Sequence, residues 1–182
     1  MRSTGICTSS TPPSSARIST PPALAGPAPS GGEGEAPGRS RGGFSTRLHL
    51  RAEGAGKPIT FVLTGGERHE SHVLPRLLSR GAIRRPGRGR PKLRPRRVVG
   101  DKACTGRPVR SFLRRRGIGA VIPTHKSERR RASFDRDAYR TRNRIERLIN
   151  RLKQFRRIAT RYEKRAVNYA AMLAIAMSLL WL

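Results

Sequence analysis

Acidic side chains are scarce in this chain. Eleven Asp and Glu stand against 40 Lys and Arg in 182 residues, for a formal net charge of +29. A charge of that size repels itself in a compact state and asks for a polyanionic partner, with nucleic acid first and a cationic exported or membrane-surface protein as the alternative. Cysteine is scarce too: Cys7 and Cys104 lie far apart, and neither belongs to a CxxC pair. That excludes a disulfide framework and a cysteine-built zinc site, and points to a reducing compartment. Aromatic residues make up 5% of the chain, too few stacking platforms to favour a ribosomal-type RNA-binding protein. Long apolar runs are missing as well. Arg2 is followed by no apolar segment of a signal peptide. The stretch from Ala166 to Leu182 falls just short of the roughly 20 residues a membrane helix needs, so it reads as a buried helix of a soluble fold.

What is present divides the chain near residue 38. Residues 1–37 hold Ser, Thr, Pro, Ala and Gly with almost no large apolar side chains, a composition that cannot offset the entropy of ordering and predicts a disordered tail. Residues 38–182 form the second region. There Leu48 and Leu50 alternate with polar neighbours, "GAGKP" supplies turn chemistry, and "ITFVLT" is continuously apolar, which predicts a β-hairpin. In "GGERHESH", His69, His72 and Glu70 have no further Cys or His nearby and read as a solvated turn rather than a metal site. A short helix is predicted over Val73 to Ser79, with Pro75 in its first turn. Arg80 to Arg97 then reads as an extended basic loop with no acid. Inside it "GRGRPK" resembles the core of an AT-hook, whose Arg88 and Arg90, with Lys92 beside them, would enter a narrow A·T minor groove.

Further on, "RRVVGDKA" predicts a short buried strand ending at Asp101, "RPVRSFLRRRG" an amphipathic helix capped by Gly117, and "IGAVIP" a strand stopped by Pro123. Alternating strands and helices of this kind indicate an α/β layer with a partly parallel sheet. From Phe134 onward the chain reads as helical. Asp135 and Asp137 are candidate caps, and Ile145, Leu148, Ile149, Leu152 and Phe155 recur on one face. On this helix Tyr139, Arg142, Glu146 and Lys153 share a stripe, with the spacing Tyr, two residues, Arg, three residues, Glu, six residues, Lys. A glutamate so placed is ordinarily an i,i+4 partner, here for Arg142 or Asn150.

The same spacing resembles the signature of insertion-sequence transposases with an Asp-Asp-Glu triad. "GRSRGGFSTRLHLRAEGAGKPITFVLTGGE", "VVGDKA", "RRRGIGAVIP" and "RNRIERLINRLKQFRRIATRYEK" resemble further blocks of that family in its order, specifically of the IS-five type, over about residues 38–182. The resemblance implies a ribonuclease-H-like mixed sheet that cuts and joins DNA with two divalent metals, Mg²⁺ or Mn²⁺, held by carboxylates. It implies that the first Asp lies on a central first strand, the second after the fourth strand and the Glu on a following helix. Residue by residue, Asp101 becomes the second Asp and Glu146 the Glu, both catalytic and both metal ligands. Arg142 and Lys153 would hold DNA phosphates, and Tyr139 would stack on or bond to DNA. Where the family has Tyr and Asp or Ser after the second Asp, this chain has Cys104 and Thr105.

The first Asp has no counterpart. Nothing before Gly38 matches the family strand that carries it, so the sheet is expected to be incomplete, with its central strand missing. Allowed codons for Ser9 to Ala25, read out of frame, spell that strand's motif, so residues 1 to about 30 are read as a frameshifted segment. Sequencing the gene tests this: a shifted frame without the motif sinks it. The function expected is a DNA transposase by ancestry, truncated and inactive alone, with terminal inverted repeats and target DNA as partners, a homo-oligomer as a further association, no membrane, and a cytoplasmic, nucleoid-associated location. The alternative is a non-catalytic basic DNA-binding protein, whose affinity would fall steeply with salt.

Overall fold

Two β-rich segments separated by turn residues build the hairpin that opens the fold. β3 (Gly43–Ala52) runs into a turn in which the Glu53 carboxylate accepts from the amides of Ala55 and Lys57 at 2.8 and 3.0 Å, and β4 (Pro58–Gly65) returns beside β3. Gly56 makes the reversal possible with a φ of 92°. In this computed structural model the described residues are 5–9, 38–40, 43–65, 70–82, 90, 93–125, 134–163 and 165–182. The AT-hook-like segment, apart from Arg90, and His69 lie outside them. The chain divides into two compact units, one of Met1–Ser10, His49–Val62 and His69–Leu148, the other of Thr11–Leu48, Leu63–Arg68 and Ile149–Leu182.

In the first unit, β1 (Gly5–Ser9) lies between the hairpin and β5 (Arg97–Val99). It pairs antiparallel with β3, Ile6 opposite Ala52 and Ser9 opposite His49, and parallel with β5, Ile6 opposite Val99. β6 (Gly119–Val121) extends the parallel part, with Val98 opposite Ala120. A strand thus occupies the central position that the sequence reading expected to be missing. The position is filled, because a ladder is made by backbone N–H and C=O groups that any non-proline residue supplies. The remainder of residues 1–37 lies outside the described residues.

Helix α1 (Glu70–Leu78) starts three residues before the expected helix, takes in part of the predicted turn and carries Pro75 past its first turn. Proline lacks the amide that would reach back one turn, yet the helix continues past it, and the Ser79 amide donates to the Pro75 carbonyl at 3.0 Å. After β5 a single 3₁₀ turn (Lys102–Cys104) leads to α2 (Arg107–Arg115). The end of α2 is a Schellman motif: the Ile118 amide donates to the Leu113 carbonyl and the Gly117 amide to Arg114, both at 2.9 Å, and Gly117 has the positive φ of 63° that the motif requires. Val73, Leu77, Val109, Leu113, Val98 and Ile122 belong to one apolar cluster, which Phe112 and Ala120 flank.

β3 is buried on both faces rather than one, since His49 and Arg51 are as inaccessible as Leu48 and Leu50. Arg51, 1% exposed, is tolerated there because its guanidinium donates to the carbonyls of Arg80 at 2.7 Å and Leu93 at 2.8 Å, both in the basic segment.

In the second unit β2 (Gly38–Ser40) pairs antiparallel with the start of β3. Short α5 (Arg156–Ala159) and uncharged α6 (Ala166–Leu179) follow. α6 buries Tyr169, Leu173, Ala176 and Met177 but exposes Val167, Ile175 and Leu179, so the expected burial holds on one face only. The Tyr169 hydroxyl donates to the Ile158 carbonyl at 3.0 Å. Burial pushes this hydroxyl above the ordinary tyrosine range, and the nearby Arg161 guanidinium only partly opposes that. Arg161, itself buried, donates to the Thr46 hydroxyl and the Glu163 carbonyl. Among the described residues no helix is long and apolar enough to cross a membrane.

Candidate nucleic-acid interface

The stripe expected on one long helix is divided. α3 (Arg136–Arg140) ends at Thr141, and α4 (Asn143–Gln154) begins two residues later. The Thr141 hydroxyl bonds back to the Ala138 carbonyl at 2.6 Å, and the amides of Thr141, Arg142, Arg144 and Ile145 each reach three residues back instead of four. A threonine that bonds its own helix in this way competes with the regular ladder and bends the chain. Tyr139 therefore stands on α3, Arg142 in the corner, and Glu146 and Lys153 on α4.

The corner nevertheless gathers three of the four signature side chains. The Arg142 guanidinium lies 5.6 Å from the centre of the Tyr139 ring and pairs with Glu146, Nη1 to Oε1, at 2.8 Å. Phe134 supports the other side of Tyr139, with ring centres 5.3 Å apart. Glu146 is thus an i,i+4 partner of Arg142, which is the bland reading of its position. With the two side chains 48% and 27% exposed, the pair is a surface pair of modest worth, below about 1 kcal/mol. Lys153 is half-buried near the end of α4.

The hairpin turn sets where α4 begins. Arg144 donates through Nη1 to the Gly54 carbonyl, and a Cβ on Gly56 would come within 3.1 Å of the Arg144 Cβ. The first turn of α4, and Glu146 with it, is therefore seated on the Glu53–Lys57 turn by a contact that leaves no room for a side chain. α3 is held separately. Asp135 caps it by accepting from the Ala138 amide at 2.8 Å and also pairs with Arg97 at the start of β5 at 3.0 Å. Asp137, the other candidate cap, instead pairs with Arg140 at 3.2 Å.

Asp101 follows β5, as expected for a second acid, and its Oδ1 accepts from the Cys104 amide at 3.3 Å across the 3₁₀ turn. The i,i+4 spacing offered Arg142 or Asn150 to Glu146, and the structure selects Arg142, whereas the amide that engages Asp101 follows from no spacing rule. His72 is exposed on α1. Arg90, the described member of the AT-hook-like run, is exposed too.

A two-metal centre needs several carboxylates converging on one point. The donors here do not meet that requirement. Central β1 reads Gly-Ile-Cys-Thr-Ser and holds no acid, Glu146 is occupied by Arg142, and among the described residues no group of three or more His, Cys, Asp or Glu is placed to hold a metal ion. No reaction step is therefore derived through a metal. What the corner offers is cationic and aromatic: guanidinium groups and a tyrosine, suited to phosphates and to stacking.

Comparison with known proteins agrees with the sequence blocks. The family described as Transposase DDE domain matches residues 13–181. A Burkholderia cepacia protein assigned as a transposase for insertion sequence element IS402 is 31% identical over 135 residues, covering 74% of this chain and 62% of the relative. The chain thus spans less than two thirds of that relative's length. No solved structure matches.

Proposed function

Because the chain belongs to the transposase DDE-domain family, we propose that it is a DNA transposition protein which, in this form, holds DNA without cutting it. One observation carries the second half of that reading: the central strand is present and contains no carboxylate. Asp101 and Glu146 are then the second Asp and the Glu of an Asp-Asp-Glu set whose first member is absent, and the divalent ion of the family, Mg²⁺ or Mn²⁺, lacks its full ligand set. The strand order, with the first strand between a hairpin and a parallel partner, supports a ribonuclease-H-like sheet. DNA holding falls to Arg142, Tyr139 and Lys153 with the basic segment that includes Arg88, Arg90 and Lys92, through contacts that carry charge rather than sequence.

The test is a cleavage and strand-transfer assay on terminal-repeat DNA with Mg²⁺ or Mn²⁺. It compares this chain with a version carrying a Val-Asp-Ser-Thr strand at β1, each with and without Glu146→Gln. This chain is expected to bind the DNA and give no cut product. The restored version should cut, and Glu146→Gln should abolish that. Metal-dependent cleavage by the unaltered chain would overturn the reading, as would a failure to bind duplex DNA at all.

A further inference from the structure

The chain has four side-chain amides in all, Asn143, Asn150, Gln154 and Asn168, against 40 Lys and Arg. Three of the four stand on α4, a helix of 12 residues. At about 100° of rotation per residue, Asn143, Asn150 and Gln154 share an arc of about 100° with Arg147 and Arg151. All five are exposed, and the opposite face buries Ile145, Leu148, Ile149 and Leu152. We propose that this outward face of α4 reads base edges in the DNA major groove and so gives the chain a sequence preference. The proposal rests on the DNA-holding reading above and adds sequence to contacts that otherwise carry charge alone.

Composition is the first support. A helix face that met only solvent would draw on the residue types common elsewhere in this chain, Arg and Ser above all, whereas here the rare amides gather on one stripe. Availability is the second: among the described residues none of the five side chains has a hydrogen bond or an ion pair, and Glu146, the acid beside the stripe, is engaged by Arg142. Chemistry is the third. A phosphate offers acceptors only and so uses half of an amide, but an adenine edge offers an acceptor and a donor side by side and uses both halves. Arginine pairs in the same two-point way with the two acceptors of guanine. A stripe of Asn, Gln and Arg therefore carries the side chains that tell one base pair from another. Size agrees as well: an α-helix is about 10–12 Å across and the major groove about 12 Å wide. Asn143 and Gln154 lie about 16 Å apart along the axis, enough to reach several successive base pairs. The face belongs to a single helix, so the helix period alone sets its geometry.

The experiment selects from a random-sequence duplex library with the full chain, sequences the enriched duplexes, and measures Kd for the enriched duplex and for a scrambled one of equal length. The ratio of the two affinities is the readout. Asn150→Ala/Gln154→Ala removes two amides and no charge, Arg147→Lys keeps the charge and loses the two-point fork, and Asn168→Ala removes the remaining amide, on α6. Circular dichroism of each variant checks that the helices persist. The parent chain should prefer its enriched duplex. The amide pair should lower that preference about tenfold or more, by relaxing A·T positions, and leave the scrambled duplex bound as before. Arg147→Lys should relax a G·C position by about tenfold, and Asn168→Ala should change neither affinity. If the parent chain binds duplexes but enriches no sequence, or the amide pair keeps the preference, α4 does not read bases, although DNA holding still stands. An amide pair that loses equally on both duplexes marks contact with phosphates and overturns the proposal as well. If the parent chain binds no duplex, the functional reading falls and this one with it.

Discussion

At the α3–α4 corner each acid has an arginine: Asp135 has Arg97, Asp137 has Arg140 and Glu146 has Arg142. On α2, Arg107 and Arg114 have no ion-pair partner among the described residues, and Arg110 donates to the carbonyls of Ile122 and Pro123 and to the Thr105 hydroxyl. The same side chain thus does two jobs. At the corner it pairs with carboxylates and holds short helices in place. On α2, Arg110 ties the helix to the residues that follow β6.

The strongest way to break the contrast is to undermine the packing of α2. Leu113 is fully buried beneath α2, and Leu113→Ala should cost about 3 kcal/mol in urea unfolding and weaken duplex binding along with it. Next comes the seat of the corner. Gly56→Ala adds a Cβ against Arg144 at a φ of 92°, and should cost about 2 kcal/mol by the same measurement. Asp135→Ala removes a helix cap and an ion pair, for which about 1 kcal/mol is expected in thermal unfolding. Smallest is Glu146→Gln. As one half of a surface pair it should change stability by less than about 0.5 kcal/mol. A loss above 2 kcal/mol there would show that the corner depends on this acid far more than its exposure indicates.

Much of this was legible beforehand where local chemistry decides local shape. The hairpin announced itself through alternation and a glycine turn, α2 through its apolar spacing and the glycine that ends it, and Asp135 through its place before α3. The break at Thr141 was missed because the apolar spacing begins only at Ile145 and carries no information about the chain before it. Only the hydroxyl bond to Ala138 reveals that the ladder tightens there. Arg51 was missed for the opposite reason: strand alternation sends it outward, yet two carbonyls far away in sequence draw it into full burial.

The amino-acid sequence by itself determined that the chain is strongly cationic, that it belongs with the DDE transposases, and that the acid expected ahead of Asp101 and Glu146 is absent, because charge and residue identity need no fold to be counted. Only the tertiary structure decided that β1 takes the central strand position, that Glu146 pairs with Arg142 rather than Asn150, and that the Arg51 guanidinium is buried on the carbonyls of Arg80 and Leu93. Strand pairing recruits backbone amides, which composition does not distinguish, and ion pairs and grooves depend on which distant segments the packed core brings within a few ångströms of one another.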